Sequence, residues 1–392
     1  MKSVVVVSGK RTPFGAFGGS LKDVSAADLG VSASMAAMAQ ANISPDEIDH
    51  IVMGSVVQAG KDSIYLPRHI GLKCGIPVNR GALGVNRLCG SGFQSWVNSV
   101  QMIQTGEAEV VLAGGVEQMS QIPYILRNAR WGYRMGQGEV EDYLTAALTD
   151  SYTGTPMAIT AENLAEKYQI SREEVNQYAL QSQRRFKAAL DKKYFDIEIS
   201  PVTITDKKGE TVISKDEHPR PETTIEGLQK LKPLFKKEGT VTAGTASGIV
   251  DGAAASVLMS EDQAKKRNLK PLARIISYAS AGCDPAIMGI GPVLAIQNAL
   301  KRAGMTLDQM DLVEVNEAFA AQYLAVQKEL KLNPEVTNVN GGAIAVGHPL
   351  GASGTRIMNH LMYELERRNK KFAVGSACIG GGQGIAIVIE RI

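Results

Sequence analysis

The chain has 392 residues, of which 44% are apolar and 21% charged, and its formal net charge is +2. This length supplies enough apolar side chains for cores in two or three subdomains, so neither a disulfide nor a metal is needed for stability. The small net charge excludes whole-protein attraction to nucleic acid or to an anionic membrane, so any anion must be bound locally.

The N-terminal segment predicts a strand rather than a targeting signal. Val4 to Val7 run into Gly9 without the longer apolar core and cleavage site of a signal peptide. No apolar run reaches the roughly 18 residues of a membrane span. The four cysteines, at 74, 89, 283 and 378, form no Cys-x-x-Cys pair, which argues against structural zinc. We therefore expect a cytoplasmic protein with free thiols, and neither a membrane nor nucleic acid as partner.

Two stretches of the chain share one pattern. Residues 42–52 suggest a helix end, a capping turn and a strand, and residues 304–314 repeat this about 262 positions later. Later in each half of the chain a Ser-Gly pair, Ser91-Gly92 or Ser353-Gly354, opens an apolar helix. A buried strand that ends in small residues follows each helix. The common order and offset predict two copies of one α/β unit, with mixed or largely parallel sheets covered by helices. We expect the active site where the two copies meet.

Cys89 stands at the start of a predicted buried helix in the first copy. The apolar residues that follow it fall on one helical face: Phe93, Trp96, Val97, Val100 and Ile103. The free N–H groups and positive dipole end of such a helix favour a thiolate, so we predict a lowered pKa for this thiol. A small buried thiol beside a glycine-rich turn is the alternative interpretation.

The stretch from about 120 to 249 differs from both copies and predicts an inserted domain rather than a linker. Ser171 and Glu174 have the spacing of a capping box at the start of a charged helix.

Three later segments carry polar or reactive side chains. Asn316 follows a predicted strand, where asparagine is more often a cap than a catalyst. His348, between Gly347 and Pro349, cannot lie in mid-helix, so we place it on a loop before a helix, where it either reaches a substrate or bonds to backbone. Cys378 ends a strand beside glycines that either line an oxyanion hole or form a tight hairpin.

These segments, at 85–92, 315–320, 338–354 and 378–384, together resemble the thiolase family, and the resemblance covers essentially the whole chain. It implies duplicated α/β units packed as layered α-β-α-β-α, with an inserted α+β loop domain. The implied division is an N-terminal core half at 1–119 and 250–270, an inserted loop domain for CoA binding and tetramer contacts at 120–249, and a C-terminal core half at 271–392.

The resemblance also implies a role for each candidate catalytic residue. Cys89 takes the acyl group as a thioester after His348 has helped to remove its proton. Cys378 removes the α-proton of the second acyl-CoA or, in reverse, protonates the departing enolate. His348 and a water held by Asn316 stabilise that enolate, and the N–H groups of Cys89 and Gly380 face the tetrahedral oxyanion. No metal or redox cofactor is expected, because CoA and acyl-CoA are substrates.

Substrate-binding residues follow from the same resemblance. Arg220 is expected over the nucleotide end of CoA and Ser247 beside the pantetheine arm. Apolar residues expected to line the tunnel and acyl pocket, each of which fits a plain core position equally well, are Leu148, Met157, Phe235, Ala243, Met288 and Phe319. Pro156 and Thr245 depart from the His and Asn that short-chain members often carry, which affects CoA affinity or acyl preference rather than the chemistry.

The loop that contains Trp131 resembles one that joins two dimers into a tetramer in the acetoacetyl-CoA-forming branch. We therefore expect an acetyl-CoA C-acetyltransferase, a homotetramer that reversibly condenses two acetyl-CoA to acetoacetyl-CoA and CoA through an acetyl-Cys89 intermediate. A broader-range degradative 3-ketoacyl-CoA thiolase of fatty-acid β-oxidation is the alternative.

Other classes fit less well. A ketoacyl synthase shares the duplicated fold but uses one Cys with two His, whereas only His348 of five histidines here has a catalytic-looking setting. An acyl-CoA or lipid carrier without chemistry is disfavoured by the joint presence of Cys89, His348 and Cys378. A thiol redox protein is disfavoured because the cysteines form no local exchange motif.

Overall fold

The computed structural model describes residues 2–207 and 209–392. Its first copy contains β1 (Val4–Arg11), β2 (Gly15–Ala16), α1 (Ala26–Ala41), β3 (His50–Gly54), α2 (Leu66–Lys73), β4 (Gly81–Val85), α3 (Ser91–Thr105) and β5 (Val110–Glu117). Helix α1 begins where the Ser25 side chain accepts the N–H of Asp28, and it ends at Asn42 in the left-handed conformation. Local capping chemistry thus fixes both ends of this helix.

The insert contains β6 (Tyr124–Ile125), β7 (Glu141–Asp142), α4 (Tyr143–Ala147), β8 (Thr149–Asp150), β9 (Thr155–Pro156), α5 (Met157–Lys167), α6 (Arg172–Asp191), β10 (Val202–Asp206), β11 (Gly209–Ile213) and α7 (Ile225–Lys230). The predicted capping box is confirmed, because the N–H of Ser171 donates to Glu174 at 2.7 Å and the N–H of Glu174 donates to Ser171 Oγ at 3.2 Å.

The rest of the chain forms β12 (Val250–Ser260), α8 (Glu261–Lys266), β13 (Ala273–Gly282), α9 (Gly291–Ala303), β14 (Leu312–Val315), α10 (Ala320–Leu330), α11 (Ala343–Val346), α12 (Leu350–Arg367), β15 (Phe372–Ile379) and β16 (Gln383–Arg391). Strand β14 starts 262 residues after β3, and β15 starts 262 residues after β5. The predicted duplication is confirmed.

The strands of both copies join in one mixed sheet with the order β14-β15-β16-β13-β1-β12-β5-β3-β4, in which β2 also pairs with β12. Strands β3, β4 and β5 are parallel to one another, as are β14 and β15, whereas β1 is antiparallel to β12 and β13. The contact between the copies is short: Val5 faces Arg274 and Val6 faces Ala273.

Helices cover both faces of each copy's strands. Helix α1 packs on the outer face of the first copy, where Leu29 joins Ile51 in one buried cluster, and α9 covers the second copy. Helices α3 and α12 lie between the copies, and Trp96 and Ile357 share a cluster with strand residues of both copies. The layers therefore alternate as α-β-α-β-α, which confirms the expected fold class.

A buried ion-pair cluster fastens the insert to the sheet. Arg11 of β1, only 1% exposed, donates two hydrogen bonds to Asp216 of the insert, at 2.7 and 2.9 Å. Its Nε also lies 3.4 Å from a carboxylate oxygen of Glu198, which in turn pairs with His360 of α12. Because a buried charge is tolerated only when paired, these contacts hold the two parts together.

Within the described ranges, no helix is both long and apolar enough to cross a membrane.

Candidate active site

A strained turn presents Cys89. Leu88, which precedes the cysteine, has φ +48°, an unusual value for a branched residue. Helix α3 begins at Ser91, two residues after Cys89. Ser91 clamps this turn, because its Oγ accepts the N–H of Arg87 at 2.9 Å and donates to the carbonyl of Leu88 at 2.7 Å. The strain is thus supported by hydrogen bonds within the turn itself.

The backbone N–H groups of Gly380 and Cys89 lie near the Sγ of Cys89 and act to lower its pKa. Burial and, to a smaller extent, the neighbouring Glu117 nevertheless raise the pKa of this thiol to about 11. The prediction of a lowered pKa is therefore wrong: loss of solvation outweighs the N–H groups at the helix start. At neutral pH Cys89 is a thiol and needs a base before it can attack.

The candidate base is His348. It lies on the loop between α11 and α12, as predicted, and is 5% exposed. Its Nδ1 lies 2.6 Å from Ser353 Oγ, and its Nε2 lies 3.3 Å from Asn316 Nδ2. Burial, reinforced by the positive charge of Arg356, lowers the pKa of His348 to about 3. The imidazole is therefore neutral and able to accept a proton.

Asn316 follows β14, and its N–H donates to the carbonyl of Ser376 at 2.9 Å. It caps no helix, since α10 begins after Phe319. Its side chain turns towards His348, and its Oδ1 is buried without a hydrogen-bond partner among the described residues. An unpaired buried acceptor is costly, so this atom favours a polar group of a bound molecule as its partner.

The neighbouring Glu317 ties the insert to both catalytic loops. Its buried carboxylate accepts from Tyr178 and Ser182 of α6, each at 2.7 Å, and from the N–H of Ile344 at 3.1 Å. The segment after β14, the helix of the insert and the loop before His348 therefore share one set of hydrogen bonds.

Cys378 is fully buried near the end of β15, opposite Gly384. Burial raises its pKa well above that of a free thiol, and the nearby Cys89 and Cys283 raise it further. Both interpretations of the following glycines apply. Gly381 and Gly382 have φ values of +76° and +82° and turn the chain into β16, while Gly380 aims its N–H at Cys89.

Apolar side chains surround both thiols. Cys378 packs with Met288 and Ala318, and the partly buried Met157 and Phe319 lie against them. Cys89 lies in a second cluster, whose other members are Met119, Leu144, Leu350, Val56, Ile122 and Leu148. Little water enters such surroundings, which strengthens every hydrogen bond to a reacting group.

The remaining candidate binding residues are Ser247, Arg220, Phe235 and Ala243. Ser247 donates its N–H to the carbonyl of Ala318 at 3.0 Å, so its loop lies beside the apolar cluster around Cys378. Arg220 is exposed, and its guanidinium turns back onto the carbonyls of residues 217–219. Phe235 is 47% exposed and Ala243 is also exposed, so neither belongs to the apolar clusters around the thiols.

Sequence reasoning missed Glu117. This carboxylate is 1% exposed and accepts the N–H groups of Val56, Val57 and Gly351. Burial raises its pKa to about 7 although those donors lower it. The sequence offered one sign of this residue: Glu117 is a charged residue at the end of the apolar strand β5, where a buried charge is rare.

In the ranges that the structure covers, no group of three or more His, Cys, Asp or Glu side chains is arranged to hold a metal ion.

Comparison with known proteins gives consistent matches along the chain. Residues 4–262 match the family profile described as thiolase, N-terminal domain, and residues 269–391 match thiolase, C-terminal domain. The mitochondrial 3-ketoacyl-CoA thiolase of Homo sapiens is 59% identical, with 100% of this chain and 98% of the human protein covered. The acetyl-CoA acetyltransferase of Escherichia coli strain K12 is 49% identical, with both chains fully covered.

The fold matches equally well. The crystal structure of human mitochondrial 3-ketoacyl-CoA thiolase in complex with CoA superposes with a TM-score of 0.97 over 100% of this chain and 98% of the human chain.

The expectation of a cytoplasmic location is wrong on this comparison. Relatives that are 57% to 59% identical over the full length, from human to mouse, are mitochondrial proteins by name.

Proposed function

This chain belongs to the thiolase family, and on that premise we propose that it is a broad-range 3-ketoacyl-CoA thiolase that cleaves its substrate with CoA. The observation that carries the proposal is the pair of backbone N–H groups, from Cys89 and Gly380, that act on the partly buried Cys89 thiol. Two fixed donors in an apolar pocket suit the oxyanion of thioester chemistry.

The choice of branch rests on similarity. Identity is 59% to the human 3-ketoacyl-CoA thiolase and 49% to the Escherichia coli acetyl-CoA acetyltransferase. Our sequence-based preference for the acetyltransferase, drawn from the Trp131 loop, is therefore the less supported of the two. It stays the second candidate because relatives of that name cover the whole chain.

In the first half of the proposed reaction, Cys89 attacks the 3-keto carbon and its proton passes to His348. The bond between carbons 2 and 3 then breaks, which leaves the acyl group on Cys89 as a thioester and releases the enolate of acetyl-CoA. Cys378 gives its proton to carbon 2 of that enolate, so acetyl-CoA departs and Cys378 is left as a thiolate. The enolate oxygen accepts from the protonated His348 and from a water held by Asn316.

In the second half, the thiol of an incoming CoA gives its proton to Cys378, and its sulfur attacks the thioester. Cys89 leaves with the proton that His348 held, and an acyl-CoA two carbons shorter is released. Both cysteines end the cycle as thiols: Cys89 regains its own proton from His348, and Cys378 takes the proton of CoA in place of the one that left with acetyl-CoA. The proposed route therefore needs no metal or redox cofactor.

The test is the rate of CoA-dependent thiolysis by the purified protein, with acetoacetyl-CoA compared with a longer 3-ketoacyl-CoA. We expect cleavage of both at comparable kcat/KM, and none by Cys89→Ala. Cleavage of the four-carbon substrate alone favours the acetyltransferase instead, and cleavage of neither contradicts the proposal.

We also propose that acyl-CoA is the sole class of partner molecule needed for activity, with Ser247 and Arg220 on the CoA path, and that the protein is a homotetramer. Exposed apolar side chains in one part of the insert support the tetramer: Tyr124, Leu126, Trp131 and Val140 are 52% to 83% exposed. Such a cluster is unusual on the free surface of a monomer and typical of an interface.

A further inference from the structure

Ser353 occupies an unusual position beside the active-site histidine. It lies in the first turn of α12, is 1% exposed, and belongs to none of the roles proposed above. Its Oγ lies 2.6 Å from Nδ1 of His348 and 3.0 Å from the carbonyl oxygen of Pro349. The hydroxyl therefore has two neighbours but only one proton to donate.

We infer that the Ser353 hydroxyl donates to the Pro349 carbonyl, accepts the Nδ1–H of His348, and so acts as the positioning residue that keeps Nε2 of this ring unprotonated as the base for Cys89. A carbonyl oxygen can only accept, so the bond to Pro349 directs a lone pair of Oγ at Nδ1. This inference deepens the proposed function and rests on it, because it assigns the ring atom that takes the cysteine proton.

The other side of the ring supports the same tautomer. Nε2 lies 3.3 Å from the amide nitrogen of Asn316, which is a donor and needs an acceptor. Because burial lowers the pKa of His348, the resting ring carries a single proton, and the position of that proton decides which nitrogen is basic.

The proton transfer balances with these partners. The proton of the Cys89 thiol moves to Nε2, the S–H electron pair stays on sulfur for the attack, and the ring becomes an imidazolium. Its Nδ1–H then donates to Ser353 Oγ as a charge-assisted bond, which stabilises the charged ring. When Cys89 later leaves the acyl group, Nε2 returns the same proton.

A bond from a helical serine to the preceding turn is not unusual in itself. Ser99 of α3, which is fully buried, donates to the carbonyl of Ser95 at 2.7 Å without a ring beside it. What distinguishes Ser353 is the imidazole nitrogen at 2.6 Å. Ser99→Ala is therefore a matched control for the loss of a buried helical hydroxyl.

The experiment measures alkylation of Cys89 by iodoacetamide, followed by peptide mass spectrometry from pH 7 to pH 10. At pH 7 we expect Ser353→Ala to react about 10- to 100-fold more slowly than wild type, by analogy with the loss of a residue that orients a metal-binding histidine. Ser353→Thr, which restores the hydroxyl, should recover most of the rate, and Ser99→Ala should match wild type.

The pH profile separates positioning from general damage. Near pH 10 a growing share of Cys89 loses its proton without help from His348. The ratio of the wild-type alkylation rate to that of Ser353→Ala should therefore fall at least several-fold. An equal rate at pH 7 overturns the inference, and so does a ratio that stays constant to pH 10. Since alkylation needs no substrate, its pattern is independent of whether wild type performs thiolysis.

A second measurement uses only the wild-type ring. In protein labelled with ¹⁵N-histidine, with the signal of His348 identified by its loss in His348→Asn, we expect a protonated Nδ1 and an unprotonated Nε2. The opposite tautomer overturns the inference even if no Ser353 variant folds.

Discussion

At neutral pH the three reactive groups of the site are uncharged. Burial raises the pKa of Cys89 to about 11 and that of Cys378 well above the value of a free thiol, while it lowers the pKa of His348 to about 3. A preformed thiolate–imidazolium pair is therefore not the resting state. Because the thiolate is the reactive form, the resting thiols of Cys89 and Cys378 react slowly with unwanted partners at neutral pH.

Cys378→Ala should separate the two halves of the reaction. We expect this variant to accept a radioactive acetyl group from acetyl-CoA on Cys89 but to lose thiolysis by about 100- to 10,000-fold, the usual contribution of general acid–base catalysis. Label retained on the protein and thiolysis are measured side by side. Cys74→Ala, which removes a buried thiol of another cluster, is the control. Full thiolysis by Cys378→Ala would remove Cys378 from the mechanism.

Glu117 should make the stability of the protein depend on pH. Its pKa is raised from 4.5 to about 7 in the folded state, so the folded state binds this proton more tightly than the unfolded chain. The resulting stabilisation is present below pH 4.5 and is lost as the pH rises to about 7. At about 1.4 kcal/mol per pKa unit, the total change is on the order of 3 kcal/mol.

Urea unfolding of wild type and Glu117→Gln at a series of pH values measures this effect. The neutral glutamine has no proton to lose. Between pH 4.5 and 7 the free energy of unfolding of the variant should therefore rise relative to that of wild type by on the order of 3 kcal/mol. The exposed Glu335→Gln should show no such trend. A constant difference across the range contradicts the role given to this carboxyl.

Arg220 should affect the binding of CoA rather than the chemistry. Its guanidinium is already held by three backbone carbonyls, so little side-chain entropy is lost when it meets a phosphate. Loss of a charged hydrogen bond of about 1.5 to 3 kcal/mol predicts a KM for CoA raised roughly 10- to 100-fold in Arg220→Ala, with kcat nearly unchanged. Lys230→Ala, at another exposed basic position of the insert, is the control; equal KM values in both variants would show that Arg220 is only a surface charge.

At the level of elements, the sequence predicted what depends on local chemistry. The capping box at Ser171 and the loop of His348 followed from residue types and spacing, and the offset between β3 and β14 was visible as a repeat. Local pattern cannot show which distant groups share a cavity. The raised pKa of Cys89 and the three backbone donors around Glu117 result from packing across the two copies, so both needed the structure.

The ion pair between β1 and the insert should set how firmly the insert is attached. Asp216→Ala leaves Arg11 buried with only the more distant carboxylate of Glu198, and breaking a buried pair usually costs about 3 to 5 kcal/mol. We expect faster limited proteolysis within the insert and a lower free energy of unfolding. The exposed Asp308→Ala should change stability by no more than about 0.5 kcal/mol. Equal proteolysis of the two variants would refute this role.

For the whole molecule, the apolar part of the insert should determine assembly. Trp131 is 83% exposed in the single chain, so Trp131→Glu places a charge in the proposed contact between dimers. Sedimentation velocity should give a tetramer for wild type and a dimer for the variant. Tyr152→Glu, at an equally exposed residue outside that cluster, should stay tetrameric. A tetramer that survives Trp131→Glu means that the contact lies elsewhere.

The position of β1 in the sheet has a consequence for how the protein is made. This strand, at residues 4–11, lies in the middle of the sheet, and both its neighbours, β12 and β13, come from residues 250–282. On the ribosome, β1 therefore has neither of these partners until residues 250–282 have been synthesised. Contacts of such long range fold slowly and leave an apolar edge exposed meanwhile, so the nascent chain is a natural client for chaperones.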